Sequence, residues 1–265
     1  MIKRISDIEA NLEKNKVLIV YSARQVGKTT LVKEFLSTTK LSYAYFTGDD
    51  TVFASDFGEC DLLRIKNMVG PAQLLVIDEA QKVPNIGTAL KLVVDNIEDI
   101  FVIATGSSSF DLSNATGEAL TGRKNILTLF PLAIDELRAS QSVYDIERNL
   151  PDFLTYGMYP NIRTYKNSAD KEGRLKEITN SYLITDILEF QKVKSAKPII
   201  DLLRLLAFQV GSEVSSVELG VSLGLDNKTI LRYLDLLEKS FILFRLDGFS
   251  KNLRKEVSKI SKYYF

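Results

Sequence analysis

The sequence predicts an α/β fold in which a parallel sheet of five strands lies between two layers of helices. Short apolar runs recur along residues 17–130 and alternate with segments of helical periodicity. Two of these runs, at 74–77 and 100–104, are apolar throughout, as expected of strands that are buried on both faces. The first run leads through a tight loop directly into a helical segment, which is the connection typical of such three-layer domains.

Composition narrows the classes of protein that fit. At 265 residues the chain can bury a full core and hold two domains, or one domain with an appendage. Its 34 basic residues balance 34 acidic ones, so the total charge requires neither nucleic acid nor a membrane as partner. The absence of histidine leaves carboxylates, lysine, tyrosine or a metal-activated water for acid–base chemistry.

Cellular location is predicted from what the sequence lacks. Cys60 is the only cysteine, which excludes an intrachain disulfide and a cysteine metal cluster. There is no apolar run long enough to span a membrane and no signal-peptide pattern. We therefore predict a cytoplasmic protein without membrane contact.

The loop after the first strand, residues 17–21, is typical of phosphate binding. Its backbone N–H groups and the positive end of the following helix would face an anion. Gly27 lets the backbone approach the phosphates, Lys28 can reach the β- and γ-phosphates, and the Thr29 hydroxyl can hold Mg²⁺. The residues that we predict to contact the nucleotide are Ser22, Ala23, Arg24, Gln25, Val26, Gly27, Lys28, Thr29 and Thr30.

One position of this loop departs from the usual pattern, which has a glycine where this chain has Ser22. A side chain there costs little unless the backbone needs a positive φ, in which case it costs about 1 kcal/mol. The departure lowers the expected affinity more than it weakens the assignment. The alternative is a fortuitous Gly-Lys-Thr at a helix start, which the strand–loop–helix context disfavours.

Two acids, Asp78 and Glu79, directly follow the apolar run 74–77. In phosphate-loop enzymes an aspartate at the position of Asp78 holds Mg²⁺ together with the loop threonine, and Glu79 is placed to polarise an attacking water. The alternative is a buried strand that ends in solvated acids. The phosphate loop about fifty residues upstream favours the functional interpretation.

Hydroxyl residues follow the next buried run, 100–104. Because ligands bind beyond the carboxyl ends of parallel strands, Thr105 and Ser107 are candidates to contact the γ-phosphate or its attacking water. A serine-rich turn without a ligand is an equally open alternative.

The remaining pattern divides the chain into three predicted domains, 1–132, 133–195 and 196–265. In the first, we predict helices over 2–12, 56–68 and 83–97, the first of them amphipathic. We also predict strands over 41–46 and 125–130 there. The second is predicted to be a small helical lid, with helices at 133–139, 146–156 and 171–191.

The last domain is predicted to be a winged helix-turn-helix. Its predicted elements are helices over 199–208, 216–223 and 227–239 and strands over 241–246 and 259–265. Asn227, Lys228, Thr229, Arg232, Lys251, Arg254 and Lys255 form its polar side and wing. DNA binding and a purely protein-interacting role both remain open for this domain.

Taken together, these motifs resemble a prokaryotic family of AAA+-like P-loop ATPases. The matching stretches are 23–30, 77–81, 104–109, 120–123, 130–132, 157–160 and 182–190. Members of that family join the ATPase to a winged-helix segment and to a carboxy-terminal domain of unknown function that looks nuclease-like. Because members look longer, we expect this chain to be a piece that lacks the nuclease-like part.

The resemblance implies binding and hydrolysis of ATP with Mg²⁺. It places Lys28 and Thr29 on phosphate and metal, Asp78 on the metal, and Glu79 on the attacking water. It also implies that Thr105 senses the γ-phosphate. Arg123 is similar in placement to an arginine supplied to the transition state, in the same chain or by a neighbouring subunit of a homo-oligomer; a solvated or core-pairing arginine is an equally weighted alternative.

Two functional hypotheses follow, and a third is weaker. In the first, ATP hydrolysis drives a conformational change in the helical and winged-helix domains. In the second, ATP regulates a DNA-binding or protein-interaction module with little hydrolysis. A small-molecule kinase is the weaker hypothesis, because no arginine cluster between 133 and 191 matches a kinase lid.

Overall fold

The structure, a computed structural model, describes residues 2–106, 119–179, 197–249 and 261–265. It divides into two units, Met1–Leu175 and Lys176–Phe265. No helix in the described part of the chain is long and apolar enough to cross a membrane.

The first unit contains the parallel sheet. Its strands are β1 (Val17–Tyr21), β2 (Tyr43–Thr47), β3 (Leu74–Asp78), β4 (Phe101–Gly106) and β5 (Lys124–Thr128). They lie in the order β2-β3-β4-β1-β5, and every adjacent pair is parallel. β1 and β3 are buried along their whole length, as their apolar sequences require. The predicted α/β class with a five-stranded parallel sheet is confirmed.

Helices connect these strands and continue beyond them. They are α1 (Lys28–Thr38), α2 (Thr51–Gly58), α3 (Leu62–Val69), α4 (Ile86–Asn96), α5 (Ile134–Arg138), α6 (Val143–Arg148), α7 (Leu150–Tyr156) and α8 (Ser168–Ile178). Short 3-10 turns lie at Glu9–Asn11, Ala80–Lys82 and Ile162–Thr164. A core formed by β1, β3, β4 and α1 includes Leu18, Val32 and Ile103. This core holds the carboxyl ends of the central strands in place.

The predicted amino-terminal helix over 2–12 is wrong. This segment has only the 3-10 turn Glu9–Asn11, although its apolar residues recur at helical spacing. The N–H of Ile5 donates to Glu136 Oε1 at 2.9 Å, so it is not available to a helix. Asp7 accepts the N–H of Ala10 at 3.2 Å, which favours a local turn. Tertiary partners therefore replace helical hydrogen bonds here.

The helix predicted over 56–68 is divided in the structure: residues 56–58 end α2 and residues 62–68 belong to α3, so the prediction of one continuous helix is wrong. The side chain of Asp50 accepts N–H groups at the start of α2, and that of Asp61 does the same for α3. Cys60, between the helices, has a φ of 59°. Two aspartate caps so close together start two helices rather than one.

The segment after the sheet contains short helices with a small core of their own. Leu132, Leu137, Ile146 and Phe153 are buried together there. The predicted helix over 146–156 is divided into α6 and α7, and Pro151 lies in the first turn of α7. Of the helix predicted over 171–191, residues 171–178 lie in α8, and residues 180–191 lie outside the described residues.

The second unit contains α9 (Lys197–Phe208), α10 (Ser216–Leu223), α11 (Asn227–Lys239) and the antiparallel strands β6 (Phe244–Leu246) and β7 (Lys262–Tyr264). The predicted bounds of α10 and α11 are confirmed. Asp226 caps α11 by accepting the N–H of Thr229 at 2.9 Å. The predicted wing residues Lys251, Arg254 and Lys255 lie outside the described residues.

Candidate functional site

The order of the strands brings the predicted motifs to one edge of the sheet. β4 lies between β1 and β3, with Val20 opposite Thr105 and Ile77 opposite Ala104. The loop after β1, Asp78 at the end of β3 and Thr105 near the end of β4 are therefore neighbours. This edge is where open parallel sheets bind ligands.

The backbone of the phosphate loop explains why Ser22 is tolerated. Within the loop φ is positive at Gln25 (61°) and Gly27 (107°) but not at Ser22. A Cβ added to Gly27 would meet Arg4 Nη1 at 3.7 Å, which is ordinary contact. Gly27 is therefore required for its backbone angle rather than for space, and the residue at position 22 needs no glycine conformation.

Lys28 is buried at the start of α1. Its Nζ donates to Ser22 Oγ at 3.2 Å and to the carbonyl of Ala23 at 3.3 Å. Burial lowers the pKa of the Lys28 ammonium, and the nearby Glu79 and Asp78 carboxylates oppose this shift. The loop thus holds a cation against neutral oxygens and close to two acids.

The Asp78 carboxylate accepts hydroxyl groups from three elements. Thr29 Oγ1 on α1 and Tyr45 OH on β2 each donate to Oδ2 at 2.9 Å. The Thr105 hydroxyl on β4 donates to Oδ1. Burial and the charge of Asp78 raise the pKa of the Tyr45 hydroxyl, so this group stays a donor. Asp78 is therefore fixed in orientation by its surroundings.

Glu79 lies just beyond the strand in a left-handed conformation, with φ at 50°. Its N–H donates to Thr105 Oγ1 at 3.1 Å, and its Oε2 accepts from Gln81 Nε2 at 2.6 Å. Gly48 permits this arrangement, because a Cβ there would clash with the Glu79 carbonyl oxygen. Thr105 thus connects the two acids by touching both.

The other loop residues that we predict to contact the nucleotide differ in burial and in their contacts. Val26 is buried in the core, Thr30 is exposed, and Arg24 is partly buried. Gln25 Oε1 accepts from Arg174 Nη2 on α8 at 2.9 Å, so the loop also contacts a helix that follows the sheet. Ser107 lies outside the described residues.

Arg123 is at the opposite edge of the sheet. Its carbonyl accepts the N–H of Val17, at the start of β1, while the phosphate loop follows the end of β1 about 16 Å away along the strand. Its Nε donates to Asp95 Oδ1 at 2.6 Å, and its side chain is 42% exposed. The structure therefore does not bring Arg123 to the site of its own chain.

The site offers hard oxygen ligands. Thr29 and Asp78 supply hydroxyl and carboxylate oxygens, which suit Mg²⁺. In the described part of the chain no group of three or more His, Cys, Asp or Glu residues could hold a metal alone. A metal at this edge would therefore take further ligands from phosphate or water, as Mg²⁺ commonly does.

Three contacts of this site were not predicted from the sequence. Tyr45 and Gln81 contact the two acids, and Arg4 donates from Nη1 to the Val26 carbonyl at 2.9 Å. Tyr45 and Arg4 belong to no local motif. Gln81 could have been found, because it lies two residues after Glu79 on the turn that follows β3.

This combination of fold and site defines a P-loop ATPase, and comparison with known proteins supports that class. Residues 14–138 match the family model of an AAA domain, and residues 147–265 match that of a domain of unknown function, DUF8612. Residues 14–138 therefore form an AAA domain of the P-loop ATPase class, and the second matched domain follows it. The second match covers most of the predicted lid and winged-helix regions.

Similar proteins have been described from several prokaryotes. The chain is 25% identical over 265 residues to the uncharacterized protein MJ1544 of Methanocaldococcus jannaschii, covering 92% of this chain and 59% of that protein. It is 26% identical over 254 residues to the uncharacterized protein Rv2008c of Mycobacterium tuberculosis, covering 96% and 54%. The chain thus spans little more than half the length of these relatives.

The fold is also found among solved structures. The Walker-type ATPase PABY2304 of Pyrococcus abyssi matches with a TM-score of 0.54 and 15% sequence identity. The match covers 94% of this chain and 88% of that one. At this identity the likeness concerns the fold.

Proposed function

We propose that this chain binds ATP with Mg²⁺ and hydrolyses it to drive a conformational change in the segments that follow the sheet. The observation that carries the proposal is the convergence of Lys28, Thr29, Asp78 and Thr105 at one edge of the sheet. A buried lysine, a loop of backbone N–H groups and a hydroxyl beside a carboxylate are the parts that phosphoryl transfer uses.

Lys28 and the start of α1 would bind the phosphates. The ammonium lies among neutral oxygens with hydrogen bonds of 3.2 Å and longer, which a phosphate oxygen can replace. The helix start adds N–H groups and a positive dipole end. These groups would hold the triphosphate in place without covalent chemistry.

Thr29 and Asp78 would hold the metal. Their side chains already lie 2.9 Å apart, and Tyr45 and Thr105 keep the carboxylate oriented. When bound, Mg²⁺ neutralises the charge that develops on the phosphates. Preorganised ligands reduce the cost of binding that cation.

Glu79 would orient the attacking water. Its backbone is fixed to Thr105 by a 3.1 Å hydrogen bond, and its carboxylate is held by Gln81. Thr105 would therefore sense the phosphate state through direct contact with both acids.

The test measures phosphate release and ATP binding in Glu79→Gln. We expect turnover to fall by about 100-fold or more while ATP affinity stays within a few fold, because a general base typically contributes 10²–10⁴. Glu98→Gln, at an exposed position near the amino end of β4, is the matched control and should keep its turnover. Unchanged turnover in Glu79→Gln would remove the role of this residue.

A second candidate function concerns the carboxy-terminal unit. We propose that α9, α10, α11 and the β6/β7 pair form a winged helix, since a bridge between Glu213 and Lys262 adds a third short strand segment to that pair. Lys228 and Arg232 are exposed on α11. In this second candidate, ATP regulates a DNA-binding or protein-interaction module.

Salt dependence tests the DNA version of this candidate. Five phosphate contacts would give a log–log slope of affinity against salt near −4.5. Association with duplex DNA that is absent or insensitive to salt would exclude it and leave a protein partner.

A further inference from the structure

Arg4 links three parts of the first unit beside the phosphate loop. Its Nε donates to Glu136 Oε1 at 2.8 Å, its Nη1 donates to the carbonyl of Val26 at 2.9 Å, and its Nη2 donates to the carbonyl of Phe130. The side chains of Arg4 and Glu136 are only 9% and 4% exposed. The arginine of a buried ion pair therefore also donates a hydrogen bond to the backbone of the phosphate loop.

Glu136 is fixed as firmly as Arg4. Its Oε1 also accepts the N–H of Ile5 at 2.9 Å, and its Oε2 accepts the N–H of Ala133 at 2.9 Å. Burial alone raises the pKa of this carboxyl, but the N–H groups of Ile5 and Ala133, together with Arg4, bring the pKa below its ordinary value. Glu136 is thus a fixed anion that sets the position of the Arg4 guanidinium.

The contact with Val26 acts on the peptide that joins Val26 to Gly27. This peptide is trans, so its carbonyl and the N–H of Gly27 point to opposite sides. A guanidinium on the carbonyl fixes the plane of the peptide and directs the Gly27 N–H away from Arg4. A charged donor on the carbonyl also polarises the peptide and makes that N–H a stronger donor.

We propose that Arg4, held by Glu136, is a positioning residue that aims the Gly27 N–H at the phosphates of the nucleotide. The proposal rests on the phosphate-binding role proposed above and extends it to residues outside the loop. Because Glu136 also fixes the start of α5 through Ala133, the same contact ties the loop to the segment that follows the sheet.

The experiment compares Arg4→Met, Arg4→Lys and Glu136→Gln with Arg138→Met. Arg138 lies on the same helix as Glu136 and forms an exposed ion pair with Asp135, so it controls for loss of an arginine charge. Calorimetry measures the Kd of Mg-ATP and of inorganic triphosphate with Mg²⁺. The amide resonance of Gly27 in the ligand-free protein reports the peptide directly.

We expect the Kd of both probes to rise roughly tenfold in Arg4→Met, as is typical when an outer group that orients a ligand-binding group is removed. Arg4→Lys should also raise the Kd, because a lysine cannot reach three acceptors in the fixed planar arrangement of a guanidinium. Glu136→Gln should raise it less, and Arg138→Met should leave it unchanged. The Gly27 resonance should shift in both Arg4 variants and stay in place in Arg138→Met.

A purely structural role for Arg4 would lower the unfolding midpoint but leave the Kd of the folded protein for both probes unchanged, and that result would overturn the inference. If Arg4→Met does not fold, Arg4→Lys and Glu136→Gln decide the matter by the same criteria. If the unaltered protein binds neither probe, the proposed function fails and this inference fails with it. Unchanged binding in the Arg4 variants of a protein that does bind refutes the inference alone.

Discussion

The two edges of the parallel sheet use polar side chains in different ways. At the carboxyl edge Lys28, Asp78 and Thr105 are at most 6% exposed, and each has hydrogen-bond partners within the site. At the amino edge, pairs such as Arg123–Asp95 and Lys14–Asp99 are exposed to solvent. Exposed pairs contribute about 0–1 kcal/mol, whereas buried polar groups are costly to leave unpaired.

The two edges therefore differ in their suitability for a ligand site. Burying a lysine, a carboxylate and a hydroxyl at one edge costs free energy unless each group has a hydrogen-bond or charge partner. A solvated ion pair has no such requirement. The contrast therefore favours a ligand site at the carboxyl edge and a stabilising role at most for the charges that we describe at the amino edge.

Replacing one aspartate by asparagine at each edge of the sheet should give the largest difference in turnover between two variants. Asp78→Asn should lower turnover by about 100-fold or more, because it removes the charge that would hold the metal and orient the phosphates. Asp95→Asn, the matched control at the amino edge, should leave turnover within about twofold, since the ion pair of Asp95 with Arg123 lies at the surface. Phosphate release over a Mg²⁺ titration measures both, and equal losses would remove the distinction between the edges.

A smaller effect is expected from the hydroxyl that joins the two acids. Thr105→Val keeps the shape of the side chain but leaves the Glu79 N–H without its partner and Asp78 Oδ1 without a donor. We expect a loss of about 1–3 kcal/mol in the free energy of unfolding, measured in urea. Thr128→Val on β5 is the strand control and should change it by less than about 0.5 kcal/mol. Equal stability of the two variants would mean that the hydrogen bonds of Thr105 do not contribute measurably to the free energy of unfolding.

The smallest effect concerns Arg123. Arg123→Ala should change the free energy of unfolding by less than about 1 kcal/mol, because its ion pair with Asp95 is exposed. A loss well above 2 kcal/mol would show that Arg123 stabilises the fold more than an exposed ion pair can.

The predicted role of Arg123 in a neighbouring subunit needs a separate measurement. If it acts there, turnover per monomer should rise with protein concentration, and the variant should lose that rise. Specific activity that stays flat from nanomolar to micromolar protein would remove this role.

Much of the site was predictable because its residues lie in local motifs. The loop around Gly27 and the acids after β3 have fixed spacing within one strand–loop unit each, and parallel strands bring such units to one edge. The parallel sheet was also predictable from local sequence, since continuous apolar runs such as 74–77 are typical of strands that are buried on both faces.

The rest depends on contacts that no local pattern contains. Tyr45 reaches Asp78 across 33 positions of sequence, and Arg4 reaches Glu136 across 132. The pairing of Ile5 with Glu136 also explains why residues 2–12 do not form the helix that their periodicity predicts. Long-range partners overrode local propensity at these places.

The proposed function requires that Lys28 binds the phosphates of a nucleotide at this edge. The most direct test is calorimetric titration of Mg-ATP into the protein and into Lys28→Ala. We expect the unaltered protein to bind and the variant to bind more weakly by about 1.5–3 kcal/mol, which is typical for loss of a charge-assisted contact. Equal affinity in the two proteins, or no binding by either, would contradict it.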